Sequence, residues 1–249
     1  MYQNYVFDLY GTLVDVRTAE DSRDVYKKLA KFYTFRKAAY QPEELREAFH
    51  ALIAEQVRER TGSIYAATGE RISYPDIDVI PVYRALAEAK GLIFTEQEAR
   101  MIANWHRIIA TRRLKVYPGV FEVFRQLKDN HRGIYLLSNA QREYTYGELV
   151  TTGLLPWFDG VLISSDYGCR KPDPVFFGEL TRQFGIDLQT AVMVGNDSAS
   201  DIAGANAVGM DSVLLVTSRE LAAPVPGVGS TYTVDDGDFR KLSRLFRLV

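Results

Sequence analysis

Asp8 closes the apolar run Tyr5-Val6-Phe7, Ser138 and Asn139 follow Leu136-Leu137, and Asn196 and Asp197 follow Met193-Val194-Gly195. An aspartate can attack phosphorus or carbon and form a covalent ester. In Asp8-Leu9-Tyr10-Gly11-Thr12 the glycine permits a tight turn after that carboxylate. Lys171 opens Lys171-Pro172-Asp173-Pro174 and offers a compact positive charge. Asp197 and Asp201 bracket Ser198-Ala199-Ser200, an acidic pair that could hold a cation. Each feature has a plainer reading. Asp8 could cap a turn. Ser138 and Asn139 could cap a helix starting near Gln141. Lys171 could be a solvated surface charge, and the acidic pair could cap the helix through Ile202-Ala203-Gly204-Ala205.

The elements that must position these groups are legible as continuous apolar runs: Tyr5-Val6-Phe7, Ile134 to Leu137, Val161 to Ile163, Ala191 to Val194 and Val213 to Val216. None alternates apolar with polar, which reads as strands buried on both faces of a parallel sheet. Helical patterns over Phe121–Asn130, Pro174–Phe184 and Asp201–Val208 lie between the later runs and predict an α/β fold of βαβ units. Ligands of such sheets bind beyond the carboxyl ends of the strands, where Asp8, Ser138 and Asn196 fall. Residues 16–113 differ. Helical spacing covers Asp21–Phe32, Pro42–Arg60, Asp78–Lys90 and Thr95–Arg113, with no buried-strand run, predicting an all-helical insertion between the first two strands. Pro224–Gly229 reads as a loop.

The chain has 249 residues, a formal charge of -2 and 47% hydrophobic residues, room for a core plus a smaller inserted domain. No basic excess points to nucleic acid, and no uncharged run is long enough for a bilayer. Cys169 is the single cysteine, so no internal disulfide forms. With no signal-peptide pattern at the start, these features predict a cytoplasmic setting.

Taken together, the four sites resemble the haloacid dehalogenase-like (HAD) superfamily over nearly the whole chain. Tyr5 to Val14 is similar to its first motif, Leu136 to Ala140 to its second, Lys171-Pro172-Asp173 to its third and Val194 to Ile202 to its fourth. Val116-Tyr117-Pro118-Gly119-Val120 resembles the return from cap to core. The resemblance implies a Rossmann-like core over residues 1–15 and 114–249 and a subfamily I helical cap over 16–113. It implies Asp8 as nucleophile, with Tyr10 and Thr12 in the same catalytic motif. Ser138, Asn139 and Lys171 would bind the transferring group. Mg2+ would lie on Asp8, the Tyr10 carbonyl, Asn196, Asp197 and Asp201, with Asp197 the leading side chain of the acidic turn. The substrate would be a small phosphorylated metabolite.

Tyr10 departs from that pattern, because the family's phosphatases carry an aspartate there as general acid and base. The L-2-haloacid dehalogenases of the superfamily also read Asp-Leu-Tyr-Gly-Thr and need no metal, which opens a second reading. Against it, Phe177 stands where they place a tyrosine, Asn196 and Ser198 stand where they use a serine and an asparagine, and Arg36 is only a loose counterpart of their cap arginine. A catalytically weak ligand-binding protein on the same scaffold is a third reading. Arg58, Arg60, Arg107 and Arg112 are candidates for reaching a substrate anion from the cap. His50, His106 and His131 show no metal-ligand spacing. Cys169 lies close enough to Lys171 for its thiol to be activated, though a bystander role is the simpler expectation.

Overall fold

The computed structural model describes residues 2–217 and 225–248. Six parallel strands form the central sheet: β1 (Asn4–Phe7), β4 (Gly133–Ser138), β5 (Gly160–Ile163), β6 (Ala191–Gly195), β7 (Asp211–Leu215) and β8 (Tyr232–Val234), in the order β5-β4-β1-β6-β7-β8. The chain thus has the α/β, Rossmann-like fold expected. Alternate residues of β1, β4 and β6 enter different cores. Tyr5, Phe7, Ile134, Leu136, Val192 and Val194 pack on one face with Phe124 and Phe239. Val6, Leu137, Ala191 and Met193 pack on the other with Phe176 and Leu180. Both faces are apolar, which is why the runs do not alternate. Helices α5 (Val120–Asp129), α6 (Arg142–Thr151), α7 (Pro174–Phe184), α8 (Ala203–Ala207) and α9 (Lys241–Leu245) accompany the sheet.

Register brings the chemistry together. Phe7 pairs with Leu136 on one side and with Val194 on the other, so the segments after β1, β4 and β6 leave the sheet side by side. Helices α1 (Arg23–Phe35), α2 (Pro42–Arg60), α3 (Ile80–Glu88) and α4 (Glu96–Ala110) lie between β1 and β4 in sequence and share a separate core built on Tyr26, Tyr33, Phe49, Tyr83 and Ile102.

Three expectations need correction. Residues 16–113 are not purely helical at their ends, because β2 (Val14–Thr18) pairs antiparallel with β3 (Thr111–Val116) as a ribbon joining insertion to core. Helix α4 accordingly stops at Ala110, whose carbonyl accepts the Ala19 amide at 2.9 Å. The sheet has a sixth strand, β8, whose sequence Tyr232-Thr233-Val234 lies at the edge and needed no apolar run. The fourth-motif turn winds first as a wide π-helical segment, Ser198–Ile202, before α8. Within the expected loop at 224–229, Pro224 lies outside the described residues; residues 225–229 form no helix or strand.

Candidate active site

Asp8 leaves β1 and is 8% exposed. Its Oδ1 accepts from Lys171 Nζ at 2.7 Å and its Oδ2 from the Thr12 hydroxyl at 3.2 Å. Thr12 lies slightly closer to Asn196, with Oγ1 3.0 Å from Oδ1, so its one proton has two competing acceptors. The tight turn that returns Thr12 to Asp8 requires Gly11. Its φ is +83°, and a Cβ there would stand 2.5 Å from the Asn196 amide.

Lys171 is 2% exposed and bridges two carboxylates, Asp8 and Asp201, the latter at 2.6 Å. Burial works against its charge, but Asp201 and Asp8 outweigh it and hold its pKa above the ordinary lysine value. For Asp201, burial is the largest influence and pushes the carboxyl pKa up; the Lys171 charge opposes this and the Asp8 charge adds to it. Asp201 also accepts the Asp197 amide at 3.0 Å. Gly195 makes room for it, since a Cβ there would lie 2.2 Å from Asp201 Oδ2.

The remaining site candidates divide. Ser138 is fully buried, and its hydroxyl has no hydrogen-bond partner among the described residues. Such an orphan is costly unless a ligand or an ordered water satisfies it. Asn139 grips the backbone of Lys171: its Nδ2 donates to the Lys171 carbonyl at 3.0 Å, and its Oδ1 accepts the Lys171 amide at 2.8 Å. The structure therefore places Asn139 as a holder of the lysine loop. Asp197 turns onto its own segment, accepting from the Ala199 amide at 2.8 Å and the Ser200 hydroxyl at 2.7 Å. Of the acidic pair, Asp201 is the one that meets Asp8 through Lys171.

Tyr10 turns towards α6. Its hydroxyl donates to Glu148 in a short hydrogen bond and lies 3.1 Å from the Thr145 hydroxyl. The Arg107 guanidinium stands 5.3 Å from the Tyr10 ring and ion-pairs with Glu148 at 2.6 Å and with Glu20. Burial first, then the Glu148 charge, raise the Tyr10 pKa, so this phenol keeps its proton. Glu148 and Thr145 were not legible as site residues, because they sit in α6 without a motif. Arg107 and Tyr144 also line a cavity of about 220 Å³ with Tyr26, Phe49 and His106, within the insertion and at its boundary with α6.

Other candidates lie apart. Arg36 pairs with Glu98, and Arg112 donates to the Ile109 carbonyl at 2.6 Å. His50 bonds Asp21 at 2.8 Å, and His106 bonds the Tyr83 hydroxyl at 2.8 Å. His131 adopts a φ of +55° in the turn after α5. Burial, then the Asp173 charge, push the Cys169 thiol up to about 12, which leaves it protonated and inert. Phe177 is buried in the core.

Among the described residues no three His, Cys, Asp or Glu side chains form a ready metal cage. The Asp8 and Asp201 carboxylates, which meet at Lys171, and the Asn196 amide oxygen, which meets Asp8 at the Thr12 hydroxyl, are hard donors. A cation that binds through one or two carboxylates and keeps several waters suits such a set, and Mg2+ is that kind of ion. The residues present therefore fit Mg2+.

The parallel sheet thus carries a buried aspartate, a charge-neutralising lysine and an orphaned serine hydroxyl at the carboxyl ends of neighbouring strands. The chain belongs to the haloacid dehalogenase-like hydrolase family, whose model matches residues 2–209. It is 34% identical over 107 residues to the ribulose-1,5-bisphosphate 5-phosphatase of Halopiger xanaduensis, covering 43% of this chain and 45% of that protein. It is 33% identical over 100 residues to the glyceraldehyde 3-phosphate phosphatase of Methanopyrus kandleri, covering 40% and 43%. The chain spans about half, or less, of the length of these relatives. Among solved structures, the 2-haloacid dehalogenase of Pseudomonas syringae pv. Tomato superposes with a TM-score of 0.65 at 20% identity over 100% of both chains. The HAD hydrolase YfnB of Bacillus subtilis, bound to magnesium, superposes with a TM-score of 0.54 at 16% identity over 99% of both. These structures share the fold. No helix of the described residues is long and apolar enough to cross a membrane.

Proposed function

We propose that the protein is a Mg2+-dependent phosphatase of small phosphorylated metabolites that works through an aspartyl-phosphate on Asp8. The observation that carries this reading is the Asp8–Lys171–Asp201 cluster at the end of β1, with the unpartnered Ser138 hydroxyl at the neighbouring strand end. The phosphatase relatives support it. Asp8, Asp201 and the Tyr10 carbonyl would hold Mg2+, with Asn196 adjacent. Asp197 enters only if its turn opens. When bound, the ion adds positive charge where phosphoryl oxygens gather.

The chain's own residues do the rest. Lys171 neutralises Asp8 as the phosphoryl group approaches, and Ser138 donates to one of its oxygens. An Asp8 carboxylate oxygen forms the bond to phosphorus while the bond to the leaving oxygen breaks. Water then attacks phosphorus and frees Asp8. The Tyr10 hydroxyl is committed to Glu148 and Thr145 and is not free to protonate the leaving oxygen. The preferred substrates are therefore those whose leaving group departs as an anion, acyl phosphates above all.

Replacing Tyr10 tests this directly. Tyr10→Asp supplies a carboxyl at the position of the missing acid and is expected to raise turnover of an alkyl phosphate about tenfold, below the usual range for a placed acid. Acetyl phosphate turnover should change little. The dehalogenase reading draws on the same tyrosine and on Lys171 as the counter-charge of Asp8. It predicts chloride release from L-2-chloropropionate by the wild type, depressed by the added carboxylate. Chloride release without any gain on alkyl phosphate would decide for it.

A further inference from the structure

Between α2 and α3 the insertion leaves its own helices and runs along the core. Ile72 is 3% exposed and packs with Leu137, Cys169 and Phe176 of the sheet's face. The Ser73 and Tyr74 amides donate to Asp173 Oδ2 at 2.7 and 2.8 Å, and the Asp76 amide donates to the Gly168 carbonyl at 3.0 Å. The Asp76 carboxylate then does something the backbone contacts do not. Its Oδ1 accepts the Ile77 amide at 2.8 Å, and its other oxygen accepts the Ser164 hydroxyl. Ser164 Oγ in turn accepts the Ala140 amide at 2.9 Å.

A serine hydroxyl has one proton. The Ala140 carbonyl, 3.2 Å from Ser164 Oγ, competes for it. With the proton drawn to the Asp76 carboxylate, a charge-assisted bond, a lone pair of Oγ faces the Ala140 amide. Ala140 ends the turn that carries Ser138 and Asn139, and Asn139 holds both the amide and the carbonyl of Lys171. Two sets of hydrogen bonds, joined by the covalent backbone between Ala140 and Asn139, thus connect a carboxylate on the insertion to the backbone of the lysine.

We propose that Asp76 is a positioning residue of the active site: by fixing the Ser164 hydroxyl it sets the Ser138-Asn139 turn and, through Asn139, the loop of Lys171. This rests on the reading that Ser138 and Lys171 serve Asp8. The insertion is then a standing part of the catalytic floor as well as a cover.

Amide hydrogen exchange read by NMR tests the relay without any substrate, so its failure is distinct from failure of the phosphatase reading, which turnover reports. Asp76→Ala is expected to speed exchange at Ala140 and at Lys171 by about tenfold or more, while the Phe7 and Val192 amides at the sheet centre keep their rates. Ser164→Ala should match it, and the double variant should be no worse than either single one. Asp76→Asn, which keeps an acceptor oxygen, should restore Lys171 to within about threefold. On acetyl phosphate, kcat should fall about tenfold in Asp76→Ala with KM unchanged. A role confined to packing would loosen Ile77 and Ala140 alone. Unchanged exchange at Lys171 in Ser164→Ala, or losses that multiply in the double variant, would overturn the proposal. Should Asp76→Ala not fold, Ser164→Ala and Asp76→Asn carry the same comparison.

Discussion

Asp8→Asn is expected to lose at least about a thousandfold in kcat on acetyl phosphate, the scale on which removal of an attacking group falls. The amide fills the same space beside Lys171 but cannot form the ester. The fold should survive. Lys171 keeps Asp201 as its counter-charge at 2.6 Å, so the loss in stability should stay near about 1–2 kcal/mol rather than the larger cost of an isolated buried charge. Steady-state turnover with thermal unfolding on the same sample checks both halves. Activity within tenfold of wild type would remove Asp8 from the covalent role.

Lys171→Met should be the most damaging change to stability. It leaves Asp8 and Asp201 buried near one another with no cation between them, and removal of one partner of a buried pair typically costs about 3–5 kcal/mol. The loss should depend on pH. In the wild type the Asp201 carboxyl already titrates above its unfolded value, chiefly because it is buried, and removing Lys171 deletes the charge that opposed this. Between the unfolded and the folded pKa the native chain holds a proton that the unfolded chain has released, so native stability rises as the pH falls through that window. Denaturant unfolding should therefore show the variant weakest at about pH 8 and partly recovered by about pH 5. A variant as stable as wild type at the higher pH, or one whose deficit does not change with pH, would show that the lysine does not balance these carboxylates. Activity should fall with it by about a hundredfold or more, since Asp8 loses its only buried cationic neighbour among the described residues.

Much of this arrangement was legible in the sequence, and the limits have physical causes. Strands buried on both faces leave unbroken apolar runs, so β1, β4, β5, β6 and β7 showed themselves, and with them the strand ends that carry Asp8, Ser138 and Asn196. The edge strand β8 and the β2–β3 ribbon are short or half exposed and leave no such run. Within the acidic turn, sequence spacing could not tell which carboxylate points inward. Asp197 follows β6 more closely, yet the wide turn spends it on the Ala199 amide and the Ser200 hydroxyl and sends Asp201 under Gly195. Asn139 stood beside a serine and invited a substrate role, whereas its amide pairs with a backbone 32 positions away. Tyr10 announced a missing acid, but its partners Glu148, Thr145 and Arg107 come from α6 and α4. Contacts between side chains so distant in sequence carry no spacing to read.

The central claim is that Asp8 takes the phosphoryl group, and the covalent state itself can be weighed. Wild-type protein mixed with acetyl phosphate and Mg2+, quenched in acid during turnover and digested, should yield the peptide containing Asp8 heavier by one phosphoryl group. The same peptide from Asp8→Asn should be unmodified. Turnover of acetyl phosphate with the wild-type Asp8 peptide unmodified at every quench time, or with the phosphoryl group on another residue, would contradict the account.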